Sequence, residues 1–116
     1  MISKELLKGS LRSIVLKLLS ENNRMYGYEI TQKVEELTQG KIKLTFGALY
    51  PILHKLETDA AVVTESEIMN GRVRIYYKLT KTGKGIAKEK VQELHDFIEM
   101  ITTLMKPGYS LKVCPS

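Results

Sequence analysis

The segment Thr45 to Glu57, which reads TFGALYPILHKLE, is a helix signature that carries a proline inside it. Thr45 can accept a hydrogen bond at the helix start. Leucine and isoleucine recur at helical spacing and predict one buried stripe, which consists of Leu49, Ile52, Leu53 and Leu56. Pro51 has no N–H for the carbonyl of Gly47. We therefore expect the helix to bend or loosen near its first turn and to leave that carbonyl free for solvent or a ligand.

The opposite face of this helix has a different chemistry. It is small at its start and basic or polar further along, and it contains Gly47, Ala48, Pro51, His54, Lys55 and Thr58. A face without bulky side chains at its N-terminal end allows a large partner to come close. We therefore expect this helix, about residues 45–58, to lie in a nucleic-acid groove.

Residues 62–80 predict a β-hairpin, because two strand-like runs flank Asn70-Gly71, a pair that supplies the positive φ angles of a tight turn. In the second run the apolar residues Val73, Ile75, Tyr77 and Leu79 alternate with Arg72, Arg74, Tyr76 and Lys78. We expect one face to pack inward and the other to be cationic. Apolar spacing predicts a first helix from Leu7 to Leu18 and a second from about Tyr26 to Leu37. This order of elements is that of a winged helix-turn-helix.

Three segments resemble the PadR-like transcriptional regulators: MYGYEI at 25–30, GALYPILHKLE at 47–57 and RVRIYYKLTKTGK at 72–84. The resemblance implies that the helix with Tyr50 and Pro51 enters the major groove and that the hairpin meets the backbone or the minor groove. It also implies a dimeric regulator, usually a repressor. The chain departs from the family at Ala60, where glycine is common. Because Asp59-Ala60-Ala61 contains no other stop signal, we predict that the helix continues through Ala60.

The formal net charge is +5, and the positive charge is concentrated in one segment. Between Gly71 and Lys88 no acidic residue accompanies the cationic side chains Arg72, Arg74, Lys78, Lys81, Lys84 and Lys88. Such a segment suits a phosphate backbone, although it is also compatible with a solvated surface. The predicted phosphate contacts are Tyr50 and Lys55, with Arg72 and Arg74 on phosphates or in the minor groove. The residues expected to face base edges are Thr45, Gly47, Ala48 and His54.

The last helix, which starts near Thr80, predicts a partner chain. Its apolar residues follow alternating steps of four and three from Ala87 onward, and the predicted dimer interface consists of Val91, Leu94, Ile98, Ile101 and Met105. A second row contains Phe97, Met100 and Leu104. The alternative is a helix that folds back on its own domain. We expect a mainly α fold with a small β-hairpin wing, in which residues 1–82 bind DNA and residues 83–116 form the dimerisation helix and a short tail.

Other chemistry is weakly represented. His54 and His95 lack ligands at metal-binding spacing, and no catalytic pair or cofactor motif is recognisable, so we expect neither a metal, a cofactor nor an enzyme. The single cysteine, Cys114, excludes an internal disulfide. With no membrane-length apolar run and no recognisable signal peptide, we expect a cytoplasmic protein.

Two functional questions stay open at the level of sequence. The first is whether the chain binds DNA or is instead a winged-helix module that binds proteins. Salt-sensitive binding to duplex DNA would distinguish these two functions. The second is a small-molecule effector. Similar proteins respond to phenolic or drug-like compounds, often at the dimer interface, where Phe97, Met100 and Met105 could line a cavity. Without a tryptophan in the chain, ordinary interface packing is the favoured interpretation of these residues.

Overall fold

The computed structural model describes residues 2–108, so Cys114 and the tail predicted from Tyr109 onward lie outside the described residues. The helices are α1 (Lys4–Leu7), α2 (Leu11–Glu21), α3 (Gly27–Leu37), α4 (Phe46–Thr58) and α5 (Lys81–Leu104), and the strands are β1 (Met25–Tyr26), β2 (Val62–Met69) and β3 (Arg72–Leu79). The predicted fold class is therefore confirmed. One boundary was wrong, because the predicted first helix is divided into α1 and α2. The Ser10 hydroxyl closes the turn between them by donating to the carbonyl of Leu7 at 3.0 Å.

The core lies among α2, α3, α4 and the base of the sheet. The predicted stripe of α4 is confirmed, since Leu49, Leu53 and Leu56 are fully buried and Ile52 is half-buried. Facing residues from the other elements complete the core and include Val15, Leu16, Met25, Ile30, Val34 and Leu79. Each buried leucine stabilises the fold by about 1.5–3 kcal/mol. This packing fixes the rotation of α4, so its opposite face must point outward.

The sheet has the order β1-β3-β2 and is antiparallel throughout. Asn70 and Gly71 have φ angles of 52° and 75°, which make a two-residue turn between β2 and β3 and confirm the predicted hairpin. We call this hairpin the wing. Its predicted inward face is only half correct. Tyr77 is buried near the base, whereas Val73 and Ile75 are 67% and 46% exposed because the distal half extends beyond the helices.

Helix α4 ends at Thr58, and Ala60 has a φ of 59°. The N–H of Ala61 donates to the carbonyl of Leu56 at 2.8 Å, and that of Ala60 donates to the carbonyl of Glu57 at 3.0 Å. This pair of bonds is a Schellman motif, with Ala60 in the left-handed position. The prediction that the helix continues through Ala60 was wrong. Ala61 is fully buried at the start of β2, and this tertiary contact outweighs the helical preference of alanine.

Helix α5 begins where Thr80 joins it to the end of α4. The Thr80 hydroxyl accepts from the N–H of Gly83 at 2.9 Å and donates to the carbonyl of Ala60 at 2.7 Å. Gly83 lies directly against the backbone of Ala61. The first half of α5 packs on α2, with Ala87 buried between them, and the second half projects away from the domain. The molecule is consequently elongated, with a longest dimension of 68 Å.

Candidate nucleic-acid interface

The outward face of α4 is open. The Thr45 hydroxyl accepts from the N–H of Ala48 at 3.2 Å and so caps the helix, as predicted. The residues predicted for this face are all exposed, namely Gly47, Ala48, Pro51, His54, Lys55 and Thr58. The helix is continuous through Pro51. A Cβ on Gly47 would meet nothing closer than the Thr45 hydroxyl oxygen at 4.0 Å, so no contact within the described chain requires glycine there.

A groove separates the start of α4 from the wing. Its volume is about 940 Å³, and α4 contributes Phe46 and Tyr50, whose rings lie 5.8 Å apart. The start of α3 contributes Tyr26 and Tyr28, and the wing contributes Arg72, Val73, Arg74 and Ile75. The groove therefore brings together three of the predicted contacts, Tyr50, Arg72 and Arg74. Thr45 and Ala48 instead border a separate groove beside α1.

Lys55 and His54 lie further along the exposed face of α4. The Lys55 ammonium is 3.2 Å from a carboxylate oxygen of Asp59, which also pairs with Arg12 at 3.3 Å. The Lys55 side chain is 64% exposed, and pairs of this kind contribute about 0–1 kcal/mol in water. Lys55 can therefore exchange this partner for a phosphate at little cost.

The two arginines predicted on the wing have different surroundings. The Arg74 guanidinium lies 4.1 Å from the ring centre of Tyr26 and donates a long hydrogen bond of 3.5 Å to the Tyr76 hydroxyl. This hydrogen bond raises the pKa of Arg74, so the guanidinium stays charged. Arg72 is exposed beside the turn. Arg74 is thus held against the body of the protein, while Arg72 projects from the tip.

Sequence reasoning missed Arg24, which precedes β1. Its guanidinium donates to Glu65 at 2.9 Å and to Glu67 at 2.7 Å, and it stacks 3.9 Å above the ring centre of Tyr76. The hydrogen bond to Glu67 is the main reason that the pKa of Arg24 is raised. Glu67 also lies opposite Arg74 across the hairpin. The face of the wing that was predicted to be cationic therefore also carries acidic groups, which corrects that prediction. Glu65 and Glu67, at alternate positions of β2, were the available sequence signal.

The predicted dimer seam divides into two parts along α5. Val91 and Leu94 are half-buried and line an apolar groove of about 300 Å³ with residues of α2 and α3. Ile98, Ile101 and Met105 are exposed, with values of 53%, 38% and 72%. The second row is exposed as well and contains Phe97, Met100 and Leu104. The first half of the helix thus folds back on its own domain, while the second half leaves large apolar side chains uncovered.

The side chains of residues 2–108 do not form a metal site, and the helices in this range do not span a membrane. No group of three or more His, Cys, Asp or Glu side chains in this range is placed to hold a metal ion. His95 on α5 faces Glu99 with 3.6 Å between the Nε2 and the carboxylate oxygen, and His54 lies on α4. No helix in this range combines the length and apolar character needed to cross a membrane.

Comparison with known proteins identifies relatives over most of the chain. The family described as "Transcriptional regulator PadR-like family" matches residues 15–89. An uncharacterised protein of Lysinibacillus sphaericus is 31% identical over 107 residues, which are 91% of this chain and 97% of that protein. The transcriptional regulator Rv3488 of Mycobacterium tuberculosis is 33% identical over 75 residues, 65% of this chain and 67% of that protein. A solved structure of a transcriptional regulator from Clostridium thermocellum superposes with a TM-score of 0.77 and 27% identity, covering 91% of this chain and all of that one.

Proposed function

Because the chain belongs to the PadR-like family of transcriptional regulators, whose members bind DNA and are not enzymes, we propose that it acts as a homodimeric repressor in the cytoplasm. Helix α4 enters the major groove, and the wing lies on the phosphate backbone or in the minor groove. Residues 1–82 form the DNA-binding domain, and the segment from residue 83 onward forms the dimerisation helix. The observation that carries this proposal is the exposed, small-residue start of α4 beside the wing groove.

Gly47 is the residue most informative about how α4 binds. Glycine inside a helix lowers stability by about 0.5–1 kcal/mol relative to alanine, and no contact with the described residues requires it at this position. Close approach of a base pair or sugar to the backbone gives a reason to keep it. Thr45 and His54 can hydrogen-bond base edges, but Gly47 and Ala48 offer no side-chain donors. Specificity therefore depends strongly on half-site spacing and on DNA shape.

Contacts to the phosphate backbone, outside the DNA major groove, position the protein on the duplex. Tyr50, Lys55 and Arg72 have exposed polar ends and bind phosphates. Arg74 is engaged with Tyr26 and Tyr76, so we assign it first to holding the wing and second to a phosphate. This division changes the expected effect of mutation. Arg72→Ala should lower the salt dependence of binding by about one phosphate contact, whereas Arg74→Ala should also change the position of the wing.

The exposed half of α5 supports the homodimer. Ile98 and Ile101 continue the heptad spacing of Val91 and Leu94, yet residues 2–108 leave them uncovered. Pairing with the same helix of a second copy would cover both rows of apolar side chains, as a two-fold interface does. Phe97, Met100 and Met105 would pack at that interface. A small-molecule effector, if one binds, would then enter between the subunits beside these residues.

The DNA-binding proposal is tested by fluorescence anisotropy with an inverted repeat from the DNA next to this gene and with a scrambled duplex. We expect the repeat to bind at least about a thousandfold more tightly, and both affinities to fall with salt. Gly47→Ala should weaken binding to the repeat while raising the melting temperature. The matched control is Gly85→Ala, which is also helical and sterically open and should raise stability without changing DNA binding. If Gly47→Ala binds as well as the unmodified protein, the close approach of α4 is ruled out.

Repression and dimerisation need separate measurements. Transcription from a promoter that carries the repeat should fall when the protein is added. Light scattering at micromolar concentration should give a dimer, and Ile98→Asp with Ile101→Asp should give a folded monomer, because both positions are exposed in the single chain. Gln92→Asp with Thr103→Asp adds the same charge away from the seam and should remain dimeric. A dimer that survives the first double substitution would exclude this interface.

One observation favours the alternative function as a protein-binding module. The distal half of the wing exposes Ile68, Val73 and Ile75, which form an apolar surface on one side of the hairpin. If this surface binds a protein and the chain does not read DNA, duplex binding should be absent or independent of salt. Salt-sensitive binding to the repeat would reject this alternative as the main function.

A further inference from the structure

A second basic surface lies on the other flank of the α4 N-terminus. The short helix α1 is anchored by buried Leu7, and the N–H of Ile2 donates to the carbonyl of Lys41 at 2.7 Å. This bond ties the N-terminal segment to the loop that leads into α4. As a result, Lys4 of α1 and Lys8 just after it border, together with Lys43 of the loop, a groove of about 200 Å³.

The groove is continuous with the face proposed to read DNA. Thr45 and Ala48, which belong to that face, form part of its lining, and its apolar lining contains Leu7, Leu11 and Leu44. The side chains of three lysines therefore border a shallow apolar groove next to the first turn of α4. The N–H groups and the dipole of that turn add further positive potential.

Among the described residues, no carboxylate pairs with any of these three lysines. Within the part of the chain that the structure describes, Lys4, Lys8 and Lys43 are exposed and make no ion pair. Four other lysines, by contrast, each face a carboxylate, namely Lys17, Lys33, Lys55 and Lys90. An unpaired cluster beside a DNA-reading helix is the arrangement that binds phosphates and releases counterions.

We propose that Lys4, Lys8 and Lys43 bind the DNA phosphate backbone where it borders the major groove occupied by α4. The proposal rests on the function proposed above and adds a contact that the sequence motifs of α4 and the wing do not include. With the wing on one flank and these lysines on the other, the backbone is held on both sides of α4. These contacts position the helix and carry no base information.

The test compares two triple variants that lose the same charge. Lys4→Gln with Lys8→Gln and Lys43→Gln removes the proposed contact. The control removes three lysines outside α1, α4 and the wing, by Lys17→Gln on α2, Lys90→Gln on α5 and Lys106→Gln just beyond α5. Anisotropy with the inverted repeat and with the scrambled duplex is measured between about 50 and 200 mM salt, the range over which counterion release dominates.

The first variant should bind both duplexes more weakly and should lower the slope of log affinity against log salt by about 2–3, since each lost phosphate contact removes about 0.9. The ratio of the two affinities should change little. The control should keep its slope, because charges more than about 10 Å from the DNA are largely screened. A third variant, Lys4→Arg with Lys8→Arg and Lys43→Arg, should have the same salt slope as the unmodified protein. Thermal melts should show that all variants are folded.

The possible failures can be distinguished. If the unmodified protein binds the repeat with a salt-dependent affinity and the two glutamine variants have equal slopes, the lysine contact is wrong while the proposed function stands. If the glutamine variant selectively loses the repeat, the lysines read bases and the backbone assignment is wrong. If the unmodified protein does not bind duplex DNA, the proposed function and this contact both fail.

Discussion

Replacing Ala60 by glycine should stabilise the protein. Ala60 has a φ of 59°, a left-handed angle at which the Cβ of an L-residue is crowded by the backbone. The side chain is exposed, so its removal takes almost no apolar surface out of the core. The hydrogen bonds of the motif, from Ala61 to Leu56 and from Ala60 to Glu57, involve only the backbone and remain available to glycine.

The expected magnitude follows from two opposing terms. Relief of the left-handed conformation contributes about 1–2 kcal/mol. The greater freedom of glycine in the unfolded chain costs about 0.4–1 kcal/mol. The net gain at Ala60 therefore lies between about 0 and 1.6 kcal/mol, with a midpoint of about 0.8 kcal/mol, which for a chain of this size raises the melting temperature by about 3 °C.

Calorimetry at one fixed protein concentration measures this change, because the stability of the proposed dimer would depend on concentration. The same substitution at Ala48 is the control, since this exposed residue is helical and Ala48→Gly should lower stability by about 1 kcal/mol. Gln39→Gly offers an independent test, because Gln39 has a φ of 54° after α3 and should also gain stability. A lower melting temperature for Ala60→Gly would refute the reasoning and would mean that α4 continues through this residue in solution.

Three further predictions concern other parts of the fold. Gly83→Ala should lower the free energy of unfolding by about 3 kcal/mol, because a Cβ there would overlap the carbonyl of Ala61. Gly85→Ala should instead raise the free energy of unfolding by about 0.5–1 kcal/mol, and urea titrations of the two variants test the contrast. Arg24→Ala should free the wing and weaken binding to specific and random duplexes in anisotropy measurements, and Arg24→Lys should retain more affinity; equal binding by all three proteins would remove Arg24 from the positioning of the wing. Burial raises the pKa of Tyr77, so the unfolded state ionises first and the free energy of unfolding should fall as the pH rises above about 10. Tyr77→Phe should reduce that fall, as measured by urea midpoints on both sides of this pH.

The sequence by itself determined the features that depend on neighbouring residues. The spacing of Leu49, Leu53 and Leu56 fixed which face of α4 is buried, and therefore which face is exposed. Asn70-Gly71 fixed the turn of the wing, since both residues adopt the positive φ angles that this turn needs. The start of α5 near Thr80 was also predicted correctly. In each case the signal and the structure lie within a few residues of one another.

The assignment of the site residues could be predicted only in outline. The sequence placed Arg72 and Arg74 on one strand with the same role, but of these two only Arg74 stacks on the Tyr26 ring and donates to the Tyr76 hydroxyl. Those rings come from two different strands. Likewise, Lys4 and Lys8 lie beside α4 because Leu7 is buried and because Ile2 bonds to Lys41 across the chain.

Tertiary structure decided the features whose partners are far apart in the chain. Arg24 meets Glu65 and Glu67, which lie 41 and 43 residues away, so no local pattern specifies the pair. Ala60 turns left-handed because burying Ala61 at the start of β2 outweighs the helical preference of alanine. Local spacing records which residues prefer to be buried. Only the assembled core determines where the chain must leave a helix and which charges come together. The free energies of burial and of ion pairing that decide these features belong to contacts between distant segments.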